Sequence, residues 1–153
     1  MNTGDVAPDF ALPDNTGTTR TLTDFLTTGP VVLFFYPGAN TPICTKEACH
    51  FRDLASEFAQ VGATRVGIST DDVETLSGFA GGHQFDYPLL SDSDGATARA
   101  YGVKRGLLGK LAPVKRHTFV IDTDRRILAV IANEFNAQTH ADQALDLLTK
   151  RTV

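Results

Sequence analysis

The chain has 153 residues, 42% of them hydrophobic and 21% charged, the size and balance of one globular domain with one core. Fourteen Lys and Arg against eighteen Asp and Glu leave a net charge of -4, and outside a short cluster at Lys104, Arg105, Lys110, Lys115 and Arg116 the basic residues are scattered. Nucleic acid, which needs a basic stripe, is excluded as the expected partner, and no apolar run approaches the roughly 20 residues that cross a bilayer.

The first residues, MNTGDVAPDFALPDN, carry neither a basic nor an apolar targeting region. Two cysteines do not make a disulfide framework of the secreted kind, and a close pair points to metal or redox chemistry. A single domain over residues 1–153, in the cytoplasm and off the membrane, is therefore expected.

In chain order, Phe10 to Leu12, a turn at Asp14 to Gly17 and Thr18 to Leu22 predict an N-terminal β-hairpin. Val31 to Tyr36 (VVLFFY) is a continuous apolar run, the pattern of a central strand buried on both faces, and Pro37-Gly38 stops it. Thr45 to Gln60 reads as a helix, with Ala48, Phe51, Ala55 and Phe58 recurring beside Leu54. Arg65 to Ser69 is a second buried strand, Asp72 to Ala80 a helix, and Tyr87 to Leu90 a short strand. Asp94 to Tyr101 is a helix ended by Gly102, and His117 to Ile121 and Ile127 to Ala132 are strands joined by the turn Asp122 to Arg126. Ala141, Ala144, Leu145 and Leu148 mark a last amphipathic helix. The order predicts an α/β domain with a mixed central sheet covered by helices, in a thioredoxin-like arrangement. A dinucleotide fold lacks its fingerprint, since GVKRGLLG (Gly102 to Gly109) is not G-x-G-x-x-G.

The segment YPGANTPICTKEACHF, Tyr36 to Phe51, follows the central strand. Pro42 suits an early helical position, which puts Cys44 in or near the first turn. Free N–H groups and the helix dipole there favour a thiolate, lowering a thiol from about 8.5. Cys49 lies roughly 140° further round the helix, in the sector of Asp53 and Ser56, with a Cα separation of about 8.6 Å. Disulfides need less than about 7 Å, so a bond between these two sulfurs would require the helix start to open.

Plainer roles exist for each residue. Cys49 can be a bystander, Thr41 a helix cap, Pro37 a strand terminator and Arg116 a solvated strand charge. Two cysteines and His50 fall short of four zinc ligands. His50, His83, His117 and His140 show no partner pattern, and the leucines of GLLGKLAP (Gly106 to Pro113) read as an exposed lip.

Pro37, Thr41 and Cys44 together form P-x-x-x-T-x-x-C, and KRHTFVID (Lys115 to Asp122), GDVAPDFALPD, CTKEACHFRD and PLLSDSDGATARAYGV follow in order. From Gly4 to Ile131 the chain resembles the peroxiredoxins, specifically their bacterioferritin-comigratory-protein or PrxQ subgroup. The resemblance implies a thiol peroxidase that reduces hydrogen peroxide and organic hydroperoxides. Cys44 attacks, Cys49 resolves the sulfenic acid as a disulfide, and a thioredoxin-type dithiol recycles it. It also implies that Thr41 and Arg116 bind the peroxide, that Pro37 shields the site, and that Glu47 orients Arg116. No metal, haem, flavin or nicotinamide is implied, and a monomer is. Ile43, at a position commonly Gly, and His117, where a small or hydroxyl residue is usual, depart from the pattern. The rivals are a thioredoxin-like thiol–disulfide oxidoreductase, against which stands the lack of C-x-x-C, and a redox sensor whose oxidised helix recruits a partner.

Overall fold

Strand β3 (Val31–Phe35) is buried at every position, because it lies in the middle of the sheet with helices on both faces. A computed structural model describes residues 1–105 and 113–151 of the chain. The main sheet has five strands in the order β5-β4-β3-β6-β7, with β4 (Thr64–Ser69), β5 (Leu89–Ser91), β6 (His117–Ile121) and β7 (Ile127–Ala132). β3 runs parallel to β4 and antiparallel to β6, so the sheet is mixed.

Side-chain alternation along β3 feeds two cores. Val31, Leu33 and Phe35 pack with Leu22, Phe25 and Leu26 of helix α1 (Leu22–Leu26) and Ala98 of α5 (Ala96–Ala100). Val32, Phe34 and Tyr36 pack with Cys44, Ala48 and Phe51 of α2 (Pro42–Asp53), with Phe58 of α3 (Ala55–Gln60), and with residues of α4 (Val73–His83) and α6 (Thr139–Arg151). Phe34 stacks on Phe51 with ring centroids 4.1 Å apart, which clamps α2 to the sheet.

The N-terminal hairpin is present as β1 (Ala11–Pro13) and β2 (Thr19–Thr21), a separate antiparallel pair. Its expected extension through Leu22 is instead the start of α1. The Thr21 hydroxyl accepts from the Asp24 N–H at 3.1 Å, a capping bond that turns the chain into a helix just where Leu22 must be buried. The expected helix over Thr45 to Gln60 is two helices. α2 already begins at Pro42, and Leu54, at φ -95° and ψ 21°, breaks the run before α3. α4 continues past Ala80 to His83, where Gln84 at φ 57° closes it by donating to the Ala80 carbonyl. The strand expected at Tyr87 to Leu90 is Leu89–Ser91, and the helix expected from Asp94 starts at Ala96, after Gly95 at φ +71°. β6 and β7 have the expected bounds. Residues 106–112, with the expected leucine lip, lie outside the described residues. Among the described residues, no helix is long and apolar enough to cross a membrane.

The register places Phe35 of β3 opposite His117 of β6. Arg116, one residue earlier, therefore stands where the chain leaves β3 for α2. That juxtaposition makes the site.

Phe34→Ala should cost about 3–5 kcal/mol, the usual loss for a buried aromatic, and would loosen α2 from the sheet. Urea unfolding measures it; a loss below about 1 kcal/mol would show that the stack does not anchor the helix.

Candidate active site

The loop from Pro37 to Thr41 is tied down before α2 begins. The Ala39 N–H donates to Asp71 Oδ2 at 2.7 Å, and the Ser69 hydroxyl donates to the same oxygen at 2.7 Å. Thr41 is extended, and its carbonyl receives the Thr45 N–H at 2.8 Å, the first helical bond. Pro42 takes the position where a missing N–H costs nothing. Two residues on, Cys44 is 1% exposed and joins the core under α2.

Arg116 reaches this sulfur from the other side. Its Nη2 donates to Cys44 Sγ at 3.2 Å and its Nη1 to Glu47 Oε1 at 2.8 Å, while its Nε donates to the Glu134 carbonyl at 3.2 Å. The Arg116 backbone N–H donates to Glu134 Oε1 at 3.2 Å, and Arg105 pairs with that oxygen at 3.1 Å. Burial opposes charge on Arg116, but Glu47 and Cys44 beside it outweigh that and hold the guanidinium above the ordinary arginine range. Glu47, one turn beyond Cys44, has no exposed surface; burial pushes its carboxyl up to about 8 despite the lowering pull of Arg116. A buried cation donating to sulfur favours the anion, and the same fixed donors are in place for charge that develops on a departing oxygen.

Cys49 is half-buried in the second turn, with Sγ 3.7 Å from His83 Nδ1. Arg52 Nη1 donates to the His83 carbonyl at 2.8 Å, tying α2 to the end of α4. Both cysteines are free, and α2 is helical through both. A surface groove of about 710 Å³ runs along this face of α2, lined by Ile43, Lys46, Cys49 and His50 and by Phe135, which is 85% exposed. Among the described residues, no group of three His, Cys, Asp or Glu side chains could hold a metal ion.

The structure thus brings Cys44, Arg116 and Glu47 into contact across a sequence separation of 72 residues between the first two. It places Cys49 away from that contact. The exposed Thr41 turns its hydroxyl to the Gly38 carbonyl at 2.9 Å, and Pro37 is half-buried between β3 and the loop. Sequence reasoning assigned no chemistry to His83 and His140, yet His83 touches Cys49, and His140 lies behind Glu47, with Nδ1 3.7 Å from Oε2. His140 shares a helical stripe with the buried Ala144 and Leu148, a spacing that marks it as core-facing. Glu134 and Thr118, also in this cluster, carry no such signal.

A thioredoxin-like sheet whose central strand delivers a buried, arginine-paired cysteine at a helix start defines a cysteine-based peroxidase of the peroxiredoxin class. Residues 3–130 match the AhpC/TSA family model, and the chain belongs to the AhpC/TSA family. It is 65% identical to peroxidoxin BcpB of Mycobacterium tuberculosis, over 98% of this chain and 97% of that one, with a TM-score of 0.94. It is 38% identical to chloroplastic peroxiredoxin Q of Gentiana triflora, over 97% of this chain and 67% of that protein. The bacterioferritin comigratory protein of Xanthomonas campestris, whose structures concern alkyl peroxide reduction, is 30% identical over 94% of this chain and 92% of that one, with a TM-score of 0.83.

Arg116→Met should slow oxidation by peroxide roughly 100-fold or more, each tenfold step being about 1.4 kcal/mol of transition-state stabilisation. Competition kinetics against a second peroxidase reads this rate, and an unchanged value would remove Arg116 from the site.

Proposed function

We propose that Cys44 is the attacking sulfur and Cys49 the resolving one. The observation that carries this reading is the Arg116 Nη2 contact on Cys44 Sγ at 3.2 Å, with a second free cysteine in the same helix. The Cys44 thiolate attacks one peroxide oxygen, the O–O bond breaks, and the sulfur becomes a sulfenic acid while the alkoxide or hydroxide takes up a proton. Cys49 then attacks that sulfur, a disulfide forms and water leaves. A dithiol protein of the thioredoxin type reduces the disulfide and is itself oxidised. Hydrogen peroxide and organic hydroperoxides are the substrates.

Thr41 holds the loop through Gly38 and offers its oxygen to the incoming peroxide, and Pro37 shields the sulfur on the strand side. His83 beside Cys49 can accept the thiol proton before the second attack. The protein works as a monomer, and thiols that must cycle suit a reducing cytoplasm.

Which part of α2 opens follows from its anchors. The later turns are held by three side chains. Tyr87 donates to the Ala48 carbonyl at 2.6 Å, Arg65 to the Phe51 carbonyl at 2.7 Å, and Arg52 to the His83 carbonyl at 2.8 Å. In the first turn, by contrast, the Arg116 guanidinium holds the Cys44 sulfur at 3.2 Å and Thr41 ties back to the Gly38 carbonyl at 2.9 Å, and among the described residues no side-chain donor reaches a carbonyl of Pro42, Ile43 or Cys44. Since the two sulfurs cannot bond within an intact helix, the Pro42 to Cys44 turn unwinds and carries Cys44 to an anchored Cys49.

Intact-mass analysis after one equivalent of peroxide should show the loss of two hydrogens in the parent chain and the gain of one oxygen in Cys49→Ser, with no change in Cys44→Ser. Oxidation of Cys44→Ser would reassign the nucleophile, and a stable added oxygen in the parent would make Cys49 a bystander.

A further inference from the structure

Behind Arg116 lies a buried carboxyl and imidazole pair that the cycle above does not use. Neither Glu47 nor His140 has exposed surface. Glu47 Oε1 accepts from Arg116, but Oε2 is buried with no hydrogen-bond donor among the described residues, and His140 Nδ1 stands 3.7 Å from it. The other ring nitrogen of His140, Nε2, is 2.8 Å from the Asn133 carbonyl, which can only accept, so Nε2 carries a hydrogen. Nδ1 of a neutral ring is then an acceptor, and the Thr118 hydroxyl at 2.8 Å can donate to it or turn away.

An ionised Glu47 facing a neutral ring leaves Oε2 as a buried, charged and unsatisfied oxygen, a costly state. One proton removes the conflict. Placed on Oε2, it makes a donor facing Nδ1; placed on Nδ1, it makes a donor facing Oε2. The other charged or titratable groups around the pair are Arg116, His117, Glu134, Tyr36 and Cys44. Burial raises Glu47 and lowers His140, and both shifts favour a neutral acid beside a neutral ring.

The consequence reaches the sulfur through Arg116, whose single positive charge has two acceptors, Glu47 Oε1 and Cys44 Sγ. A carboxylate at Glu47 competes with the thiolate for that charge. We propose that Glu47 and His140 hold one proton between them, so that Glu47 orients Arg116 as a neutral acceptor and leaves the guanidinium charge to Cys44. His140 is then a positioning residue that acts through Glu47 and Arg116. The inference rests on Cys44 being the attacking sulfur.

The test follows the proton and the sulfur separately, in reduced Cys49→Ser protein. Carbon NMR of the Glu47 carboxyl should show the protonated form near pH 6, well above the ordinary carboxyl midpoint of about 4.3, while nitrogen NMR shows His140 protonated at Nε2. A carboxylate beside a neutral ring at that pH would overturn the proposal. The rate of Cys44 alkylation at neutral pH should stay within about twofold in Glu47→Gln, because the amide supplies the same neutral acceptor to Arg116. A competing carboxylate instead predicts that Glu47→Gln speeds alkylation about tenfold or more, which would also overturn it.

His140→Phe fills the ring's place without Nδ1 and should move the Glu47 titration midpoint, by loss of the polar nitrogen that faces Oε2 at 3.7 Å. An unmoved midpoint would take His140 out of the pair, and should this variant fail to fold, Glu47→Gln still decides. Peroxide oxidation of the same samples is scored independently. Failure of Cys44 to react sinks the catalytic reading, while the state of the Glu47 proton is read regardless.

Discussion

A guanidinium sealed from water beside a sulfur is the constraint around which this molecule is arranged. Arg116 is 4% exposed, and a cation so placed must be fully paired or it costs several kcal/mol. Cys44, Glu47 and the Glu134 carbonyl accept from its three side-chain nitrogens, the first two from α2 and the third from the loop after β7. The antiparallel register of β3 and β6 delivers the arginine, the first turn of α2 delivers the sulfur, and the loop after β7 delivers Glu134. Their requirements are mutual, because Arg116 without Cys44 and Glu47 would be a buried charge, and Cys44 without Arg116 an ordinary core thiol.

On the proposed cycle the same helix meets a second, opposed requirement. Packing of Cys44, Ala48 and Phe51 under α2 favours an intact helix, yet an intact helix keeps Cys44 from Cys49. The structure separates the two demands along the helix. Tyr87 before β5 and Arg65 of β4 donate to the Ala48 and Phe51 carbonyls, and Arg52 of α2 itself donates to the His83 carbonyl at the end of α4, so the part carrying Cys49 is anchored. The first turn starts at a proline and is covered only in part as far as Ile43, and its opening gives up the burial of Cys44 and the Arg116 contact on its sulfur.

Much of this was legible in the sequence where local pattern and tertiary role coincide. VVLFFY read as a central strand, which ends one residue early at Phe35, and HTFVI and ILAVIA matched their strands residue for residue, because β-branched and apolar runs bounded by turn residues leave little choice. The pairing of Cys44 with Arg116 came from the family resemblance, since nothing in the local pattern near Arg116 tells a buried guanidinium from a solvated one. α1 was missed because a five-residue helix has too few turns to show a period, and its Thr21 cap is a side-chain event. The break at Leu54 was hidden by apolar residues that keep helical spacing through it. Glu134 and Thr118 were invisible for another reason, and His140 showed only that it faces the core: their meaning lies in contacts with Arg116, His140 and Glu47, made between elements far apart in the chain.

The central claim is that the Arg116 charge stabilises the Cys44 thiolate. Alkylation of Cys44 by a neutral thiol reagent at neutral pH in the Cys49→Ser protein, with and without Arg116→Met, tests it most directly. The account predicts that removing the guanidinium slows alkylation about tenfold or more. Equal rates for the two proteins would contradict it.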